Sequence, residues 1–280
     1  MKFTKMQGCG NDYVYINGFT EHIPQEKKSD LAISLSNRNF GIGSDGIIFI
    51  NPGKIAEFEM EMYNADGSRS EMCGNGMRCV GKYIYDYGLS DKTEITVESA
   101  GAIKYLTLFP GDDGKIEKIR VNMGSPILVA KEVPVVSENE TVVDEKITVN
   151  GIDYNMTCVS MGNPHAVVFM EGVKELDIES VGPFFENHER FPRRTNTEFV
   201  EIIDRGHVFM RVWERGTGET LACGTGCCAT AVACILNGHT DNSVEVEVLG
   251  GKIQIEWDRE ANVVYMTGPA KVSFDGCIEI

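Results

Sequence analysis

No block of lysines or arginines occurs in the chain, and a net charge of −16 leaves no basic stripe for nucleic-acid phosphates. No apolar run approaches the roughly 18 residues of a membrane span. The first residues, MKFTKMQGCGNDYVYING, also lack the apolar core of a secretion signal. A cytoplasmic protein with neither a membrane nor a nucleic-acid partner is expected. There is no G-K-[ST] step, GNGMRCVG lacks the G-x-G-x-x-G spacing, and GIGSDG, which has it, does not lie between a strand and a helix, so nucleotide binding is set aside. The nine cysteines contain no C-x2-C pair, which argues against a zinc knuckle. Their odd number, without a secretion signal, reads as reduced thiols rather than a disulfide framework.

What is present is 280 residues with 42% apolar content, enough for one large core or two ordinary ones. Alternation of period two dominates and predicts strands at Tyr13–Ile16, Ile103–Leu108, Phe199–Ile203, Val208–Val212, Val244–Val248, Ile253–Trp257 and Val263–Met266. In EFEMEMY the same pattern puts Phe58, Met60 and Met62 on one face and three glutamates on the other. Two helices stand out, Asn75–Tyr87 and Thr225–Asn237, each opening after a Cys-Gly step and stopping before a glycine, Gly88 or Gly238.

The chain also matches itself. Gly10-Asn11 is echoed by Gly162-Asn163, Met62-Tyr63-Asn64 by Val212-Trp213-Glu214, and Cys73-Gly74-Asn75-Gly76 by Cys223-Gly224-Thr225-Gly226, at offsets of 152, 150 and 150 residues. Two similar lobes are inferred, each giving a strand end, a polar residue and a Cys-Gly-x-Gly helix start to a cleft between them. Inverting a stereocentre by proton transfer needs a base on one face of the carbon and an acid on the other, which such a repeat supplies. A free thiol ionises near ~8.5, and a helix N-terminus is expected to lower that value at Cys73 and Cys223. The following glycines let backbone N–H groups approach an anion such as a carboxylate. The remaining cysteines, Cys9, Cys79, Cys158, Cys227, Cys228, Cys234 and Cys277, are read as small packing residues. One cysteine as an acyl nucleophile, the pair as a redox dithiol, and a non-enzymatic amino-acid binding module remain alternatives.

The segments GNDYVYING, GIGSDG, MYNADGSRSEMCGNGMRC, GNPHAV, RTNTEFV and WERGTGETLACGTGCCA resemble the signature segments of the diaminopimelate epimerases, in that family's order and over nearly the whole chain. The wider fold family includes proline racemases and phenazine-biosynthesis isomerases; the ERGTGET stretch and the doubled Cys-Gly pattern favour the diaminopimelate enzymes. The resemblance implies an α+β fold of two pseudo-symmetric lobes, mostly antiparallel strands wrapped around a central helix in each. The lobes are expected at 1–122 plus 269–280 and at 123–268, the final strand near Ala270–Phe274 returning to the first. It implies interconversion of LL- and meso-2,6-diaminopimelate on the way to lysine and peptidoglycan, without pyridoxal phosphate or any other cofactor, in a homodimer. A racemase of another amino acid on the same fold is the nearest alternative.

By the same resemblance Cys73 and Cys223 are the acid and base. Gly74, Asn75, Gly224 and Thr225 hold the reacting carboxylate. Asn11, Asn64, Asn163, Asn196, Glu214 and Arg215 are further substrate contacts, and His165 and Glu214 tune the thiols. Chemically, Arg215 suits a distal carboxylate, while asparagines and Glu214 suit ammonium protons. One departure is Gly46, where some members carry a substrate-reaching glutamine, which leaves any contact there to Ser44 or the backbone.

Overall fold

The period-two segments form strands, and the two Cys-Gly steps open helices one residue earlier than the spacing predicts, at Gly74 and Gly224. The structure is a computed structural model that describes residues 1–70 and 74–279, so Cys73 lies outside the described residues. The chain divides into two units, Met1–Asn122 with the stretch from Thr267 onward, and Met123–Met266.

The first unit runs β1 (Lys2–Gly8), β2 (Asn11–Asn17), α1 (Gln25–Ser36), β3 (Gly46–Pro52), β4 (Phe58–Asn64), β5 (Arg69–Ser70), α2 (Gly74–Asp86), β6 (Glu94–Ser99), β7 (Ala102–Pro110) and β8 (Ile116–Gly124). β1 and β2 form a hairpin whose two turn residues, Cys9 and Gly10, both have positive φ, the conformation that suits a tight turn between twisted strands. β2 pairs in parallel with β3, β3 antiparallel with β4, and β4 in parallel with β6. β3 is buried on both faces and reads as the continuous apolar run Ile47–Ile50. Ile47 and Phe49 pack with Ala32 and Leu35 of α1. The buried helix α2 runs against β1, β2 and β7. Its cationic residues are satisfied internally: Arg78 Nε donates to Pro269 O at 3.1 Å, and Lys82 pairs with Asp86 at 2.7 Å.

The second unit repeats that order. It runs β9 (Glu145–Val149), β10 (Ile152–Ser160), β11 (Pro164–Phe169), α3 (Ile178–Glu186), β12 (Asn196–Asp204), β13 (His207–Glu214), β14 (Gly218–Thr220), α4 (Gly224–Leu236), β15 (Ser243–Val248), β16 (Gly251–Asp258) and β17 (Val263–Pro269). The pairings recur as well: β11 parallel to β12, β12 antiparallel to β13, β13 parallel to β15. α4 touches six strands, β10 to β13, β15 and β16, so every side of it is covered. A helix enclosed in this way must be apolar all round and narrow, and GTGCCATAVACIL is built from Gly, Ala, Cys, Thr and Val for most of its length. Phe185 of α3 packs on Phe199 of β12 at a ring separation of 5.4 Å, on the opposite side of the sheet. The last strand, β18 (Lys271–Cys277), pairs antiparallel with β1 of the first unit.

Four sequence expectations need correction. α1 and α3 were not foreseen: α1 has almost no apolar stripe, and the Gly182-Pro183 step inside α3 reads as a break. Cys277 is exposed rather than packed, because β18 carries its side chains largely to solvent, whereas Cys9, Cys79, Cys158, Cys227, Cys228 and Cys234 are all buried. The glutamate face of β4 is not uniformly solvated. Glu61 is buried beneath α1, where it meets Lys28 Nζ at 2.5 Å and accepts from Gln25 and Tyr63.

Burial alone would raise the Glu61 pKa, but hydrogen bonds from Lys28, Gln25 and Tyr63 outweigh it and bring the carboxyl down to about 2. Glu61→Ala would leave the Lys28 ammonium buried without its counter-ion and should cost on the order of 3 kcal/mol in urea unfolding at pH 7. The combined Lys28→Met, Glu61→Leu variant should recover most of that loss. Because the folded pKa is depressed, the contribution is whole above the ordinary value of 4.5 and fades as pH falls towards about 2. The stabilities of the native protein and Glu61→Gln should converge over that interval.

Candidate active site

In the second unit the site is built on the start of α4. Cys223 is its N-cap, with extended backbone, and its Sγ accepts from Gly226 N–H at 3.4 Å and lies 3.5 Å from Thr225 Oγ1. A helix start offers unpaired N–H groups and partial positive charge, and here a sulfur takes the place that a hydroxyl or carboxylate oxygen usually fills. These donors act in the expected direction, yet the outcome differs from the sequence expectation. Burial, then the Glu214 and Glu198 carboxylates, push the Cys223 pKa well above its ordinary value, and the helix-end donors offset only part of this. Cys223 is therefore a thiol at neutral pH.

The strand ends of the same unit bring the other candidates to this helix start. β11 and β12 run in parallel with His165 opposite Asn196, and β12 turns back as β13, which ends at Glu214. Glu214 accepts from Thr220 Oγ1 at 2.5 Å; burial, the largest influence, raises its pKa. His165 is fully buried, with Nδ1 2.7 Å from Glu198 Oε1 and Nε2 3.1 Å from Asn163 Oδ1. Asn196 uses both ends of its carboxamide within the fold: Nδ2 donates to Pro164 O at 2.8 Å, and Oδ1 accepts from Arg215 N–H at 2.9 Å. It thus fixes the backbone of Arg215, whose exposed guanidinium donates to Arg193 O at 3.0 Å.

In the first unit Asn11 opens β2, Asn64 closes β4, and Gly74 and Asn75 open α2, with Gly46 opposite Asn64 across the β3–β4 pair. Asn11 donates through Nδ2 to Asp45 at 2.7 Å, and Asp45 is held by Arg38 at 2.9 Å. Asn64 donates to Ser68 Oγ at 3.0 Å. Gly46 has no room for a side chain: a Cβ would run into the Tyr63 carbonyl and come within 2.9 Å of the Tyr13 ring. A glutamine there would require the backbone to move. Ser44 does not substitute for one, since it is buried and its hydroxyl donates to Gly46 O at 2.9 Å.

A sequence profile described as diaminopimelate epimerase matches residues 3–129 and 157–273. The chain belongs to the diaminopimelate epimerase family. The diaminopimelate epimerase of Agathobacter rectalis is 55% identical, with all of both chains aligned. That of Methanococcus maripaludis strain S2 is 51% identical, again over all of both chains, and that of Desulfovibrio desulfuricans 53%, over 99% of this chain and 97% of its own. Among solved structures, a PhzF-family phenazine biosynthesis protein of Bacillus anthracis superposes with a TM-score of 0.70 at 15% identity, over 100% of this chain and 99% of that one. A hydroxyproline epimerase of Agrobacterium vitis gives 0.66 at 13%, over 99% and 90%. Those two likenesses bear on the fold alone.

For this diaminopimelate epimerase family member, the sequence reading passed over Glu198, Asp45 and Arg38. Asp45 and Arg38 carry no motif of their own. Glu198 did carry a signal: it is a carboxylate inside an otherwise apolar strand, 150 residues after Ile48, so the repeat has an apolar residue in its place. Among the described residues no group of His, Cys, Asp and Glu is arranged to hold a metal ion.

A like charge beside a thiol raises its pKa, so removing one should lower it. At pH 8, Glu214→Gln should speed iodoacetamide alkylation of Cys223, followed by mass mapping of the peptide that contains it, and shift its pH profile downward. An unchanged profile would show that burial alone sets the thiol.

Proposed function

We propose that the chain interconverts LL- and meso-2,6-diaminopimelate by moving the α-proton between two cysteines, Cys73 and Cys223, without a cofactor. The observation that carries the reading is Cys223 at the N-cap of a buried helix, where burial and then the Glu214 and Glu198 carboxylates raise its pKa. In the sequence, Cys73 directly precedes Gly74 as Cys223 precedes Gly224. One thiolate removes the proton, the other thiol delivers one to the opposite face, and the reverse reaction exchanges their roles.

The α-carbon of an amino acid is a weak acid, and the charge that develops as its proton leaves spreads onto the carboxylate. Backbone N–H groups at Gly74, Asn75, Gly224 and Thr225 suit that charge, because fixed donors in a site shielded from water need no reorganisation as it grows. Arg215 suits the distal carboxylate, and Glu214, Asn11 and Asn64 suit the ammonium groups and the remaining polar edge. Asn163 and Asn196 complete the proposed contact set, Asn196 through the Arg215 backbone that it holds. His165 and Glu214 set the charge around Cys223. The reading includes a cytoplasmic location and a homodimer. In support of the first, no helix among the described residues is long and apolar enough to cross a membrane.

The test is to incubate reduced protein with LL-diaminopimelate in heavy water, without pyridoxal phosphate, and to follow α-deuterium and meso product together. Uptake with inversion is expected, and Cys73→Ala or Cys223→Ala should each reduce it by about 10²-fold to 10⁴-fold, the usual range for a lost acid or base. Tight binding that survives loss of both thiols, with no exchange, would instead indicate a binding module.

A further inference from the structure

Glu198 lies outside the proposed contact set, although it bears on the Cys223 pKa. It is fully buried on β12, and among the described residues its Oε2 has no hydrogen-bond partner. Its other oxygen, Oε1, meets His165 Nδ1. It also faces the start of α4: a Cβ on Gly226 would lie 2.6 Å from Glu198 Oε1 and 3.3 Å from Cys223 Sγ, so carboxyl and thiol flank the same glycine. Packing does not ask for a carboxylate at this point, since the corresponding strand position in the first unit is Ile48, paired with Tyr15 as Glu198 pairs with Val167. A buried carboxyl with one partner is costly unless that partner supplies a proton.

The hydrogen-bond inventory fixes where the protons lie. Asn163 Oδ1 can only accept, so His165 Nε2 carries a hydrogen and donates it. Glu198 Oε1, at 2.7 Å, engages Nδ1, the ring's other nitrogen. Take Glu198 away and nothing decides between the two ring nitrogens. A neutral ring can then put its hydrogen on Nδ1 and present Nε2 as an acceptor, and Asn163 turns its N–H2 inward to meet it.

We propose that Glu198 is a positioning residue that acts through His165 to hold the Asn163 carboxamide with its oxygen inward and its N–H2 outward. Asn163 thereby turns its donor, not its acceptor, toward the ligand. This rests on the reading of Asn163 as a substrate contact, and it reverses for this one residue the assignment that chemistry alone suggests for an asparagine.

Three variants test it, each assayed for KM and kcat with LL-diaminopimelate and each examined by 15N NMR of the histidine rings, which needs no turnover. Asn163→Asp keeps the acceptor for His165 Nε2–H and loses the outward donors. It should raise KM about thirtyfold or more, as expected for loss of a hydrogen bond to a charged group, with the Nε2–H signature retained. Glu198→Gln can still donate to Nδ1 and should leave KM within about threefold of the native value, again with Nε2–H. Glu198→Met should raise KM about tenfold or more, with a smaller change in kcat, and move hydrogen from Nε2 to Nδ1. An unchanged or lower KM in Asn163→Asp would overturn the proposal, as would an unchanged His165 tautomer in Glu198→Met. If the protein does not act on diaminopimelate at all, the function reading fails while the tautomer measurement still decides the role of Glu198.

Discussion

A helix enclosed by sheet can meet solvent or ligand only at its ends, and that constraint organises each unit. α4 touches strands on every side, so its side chains must be small and uncharged, and its sequence obeys. The N–H groups of its first turn have no partner within the helix. In a buried setting they must be satisfied, and the candidates are few: the cap residue, or a ligand that brings negative charge. Cys223 is a weak cap, since sulfur is a poor acceptor, and the 3.4 Å contact from Gly226 N–H leaves the helix start with donors to offer. Within the second unit, the ends of β11, β12 and β13 and the clamp made by Asn196 then place polar side chains around that helix start.

Burial acts on the thiol in two opposing ways. It strengthens the attraction between a thiolate and the helix-end donors, and it penalises the charged sulfur more than those donors repay. With Glu214 and Glu198 alongside, Cys223 keeps its proton. A carboxylate beside a thiol would be a poor arrangement for a nucleophile, which has to be ionised to attack. It suits a group whose task is to hold a proton until a carbanion-like centre arrives opposite it. The ligand's ammonium and carboxylate groups change the local charge on binding, so the protonation that matters in turnover is set jointly by protein and substrate. The raised pKa of Glu214 belongs to the same balance: burial raises it first, and the Glu198 carboxylate adds to that.

The parts of this architecture that rest on local pattern were legible in the sequence. Alternating strands such as Val208–Val212, the helix starts after Cys73 and Cys223, and the stops before Gly88 and Gly238 all follow from backbone chemistry that acts over a few residues. α1 was hidden because it carries Lys28 inward, against the rule that a helix hides apolar groups, and only the fold supplies Glu61 to receive it. α3 was hidden by Gly182-Pro183, yet the glycine is what lets the helix sit on Trp213, whose ring atoms lie within 2.7 Å of where a Cβ would be. At the site, the helix-end residues could be named from spacing, but the engagement of both ends of Asn196 and the partnership of Glu198 with His165 depend on which strands become neighbours. That pairing is tertiary information.

The repeat itself poses the remaining question, because its two copies keep their backbone plan and abandon each other's side chains. Asn64, Ile48, Tyr13 and Gly46 of the first unit stand where the second has Glu214, Glu198, His165 and Asn196. The first set is uncharged at neutral pH and the second contains three ionisable groups. On the proposed mechanism, proton transfer to the two faces of one carbon asks for like thiols, and a Cys-Gly-x-Gly step is the part that the repeat preserves. The substrate, however, has a reacting centre and a distal one, and only an unsymmetrical surround can tell the two ends apart. Divergence is therefore tolerated where the ligand is unsymmetrical and resisted where the reaction is symmetrical. The retention of Cys-Gly-x-Gly and of the Gly-Asn step beside the divergence at Glu214, Glu198 and His165 is the trace of those two demands acting on one duplicated fold.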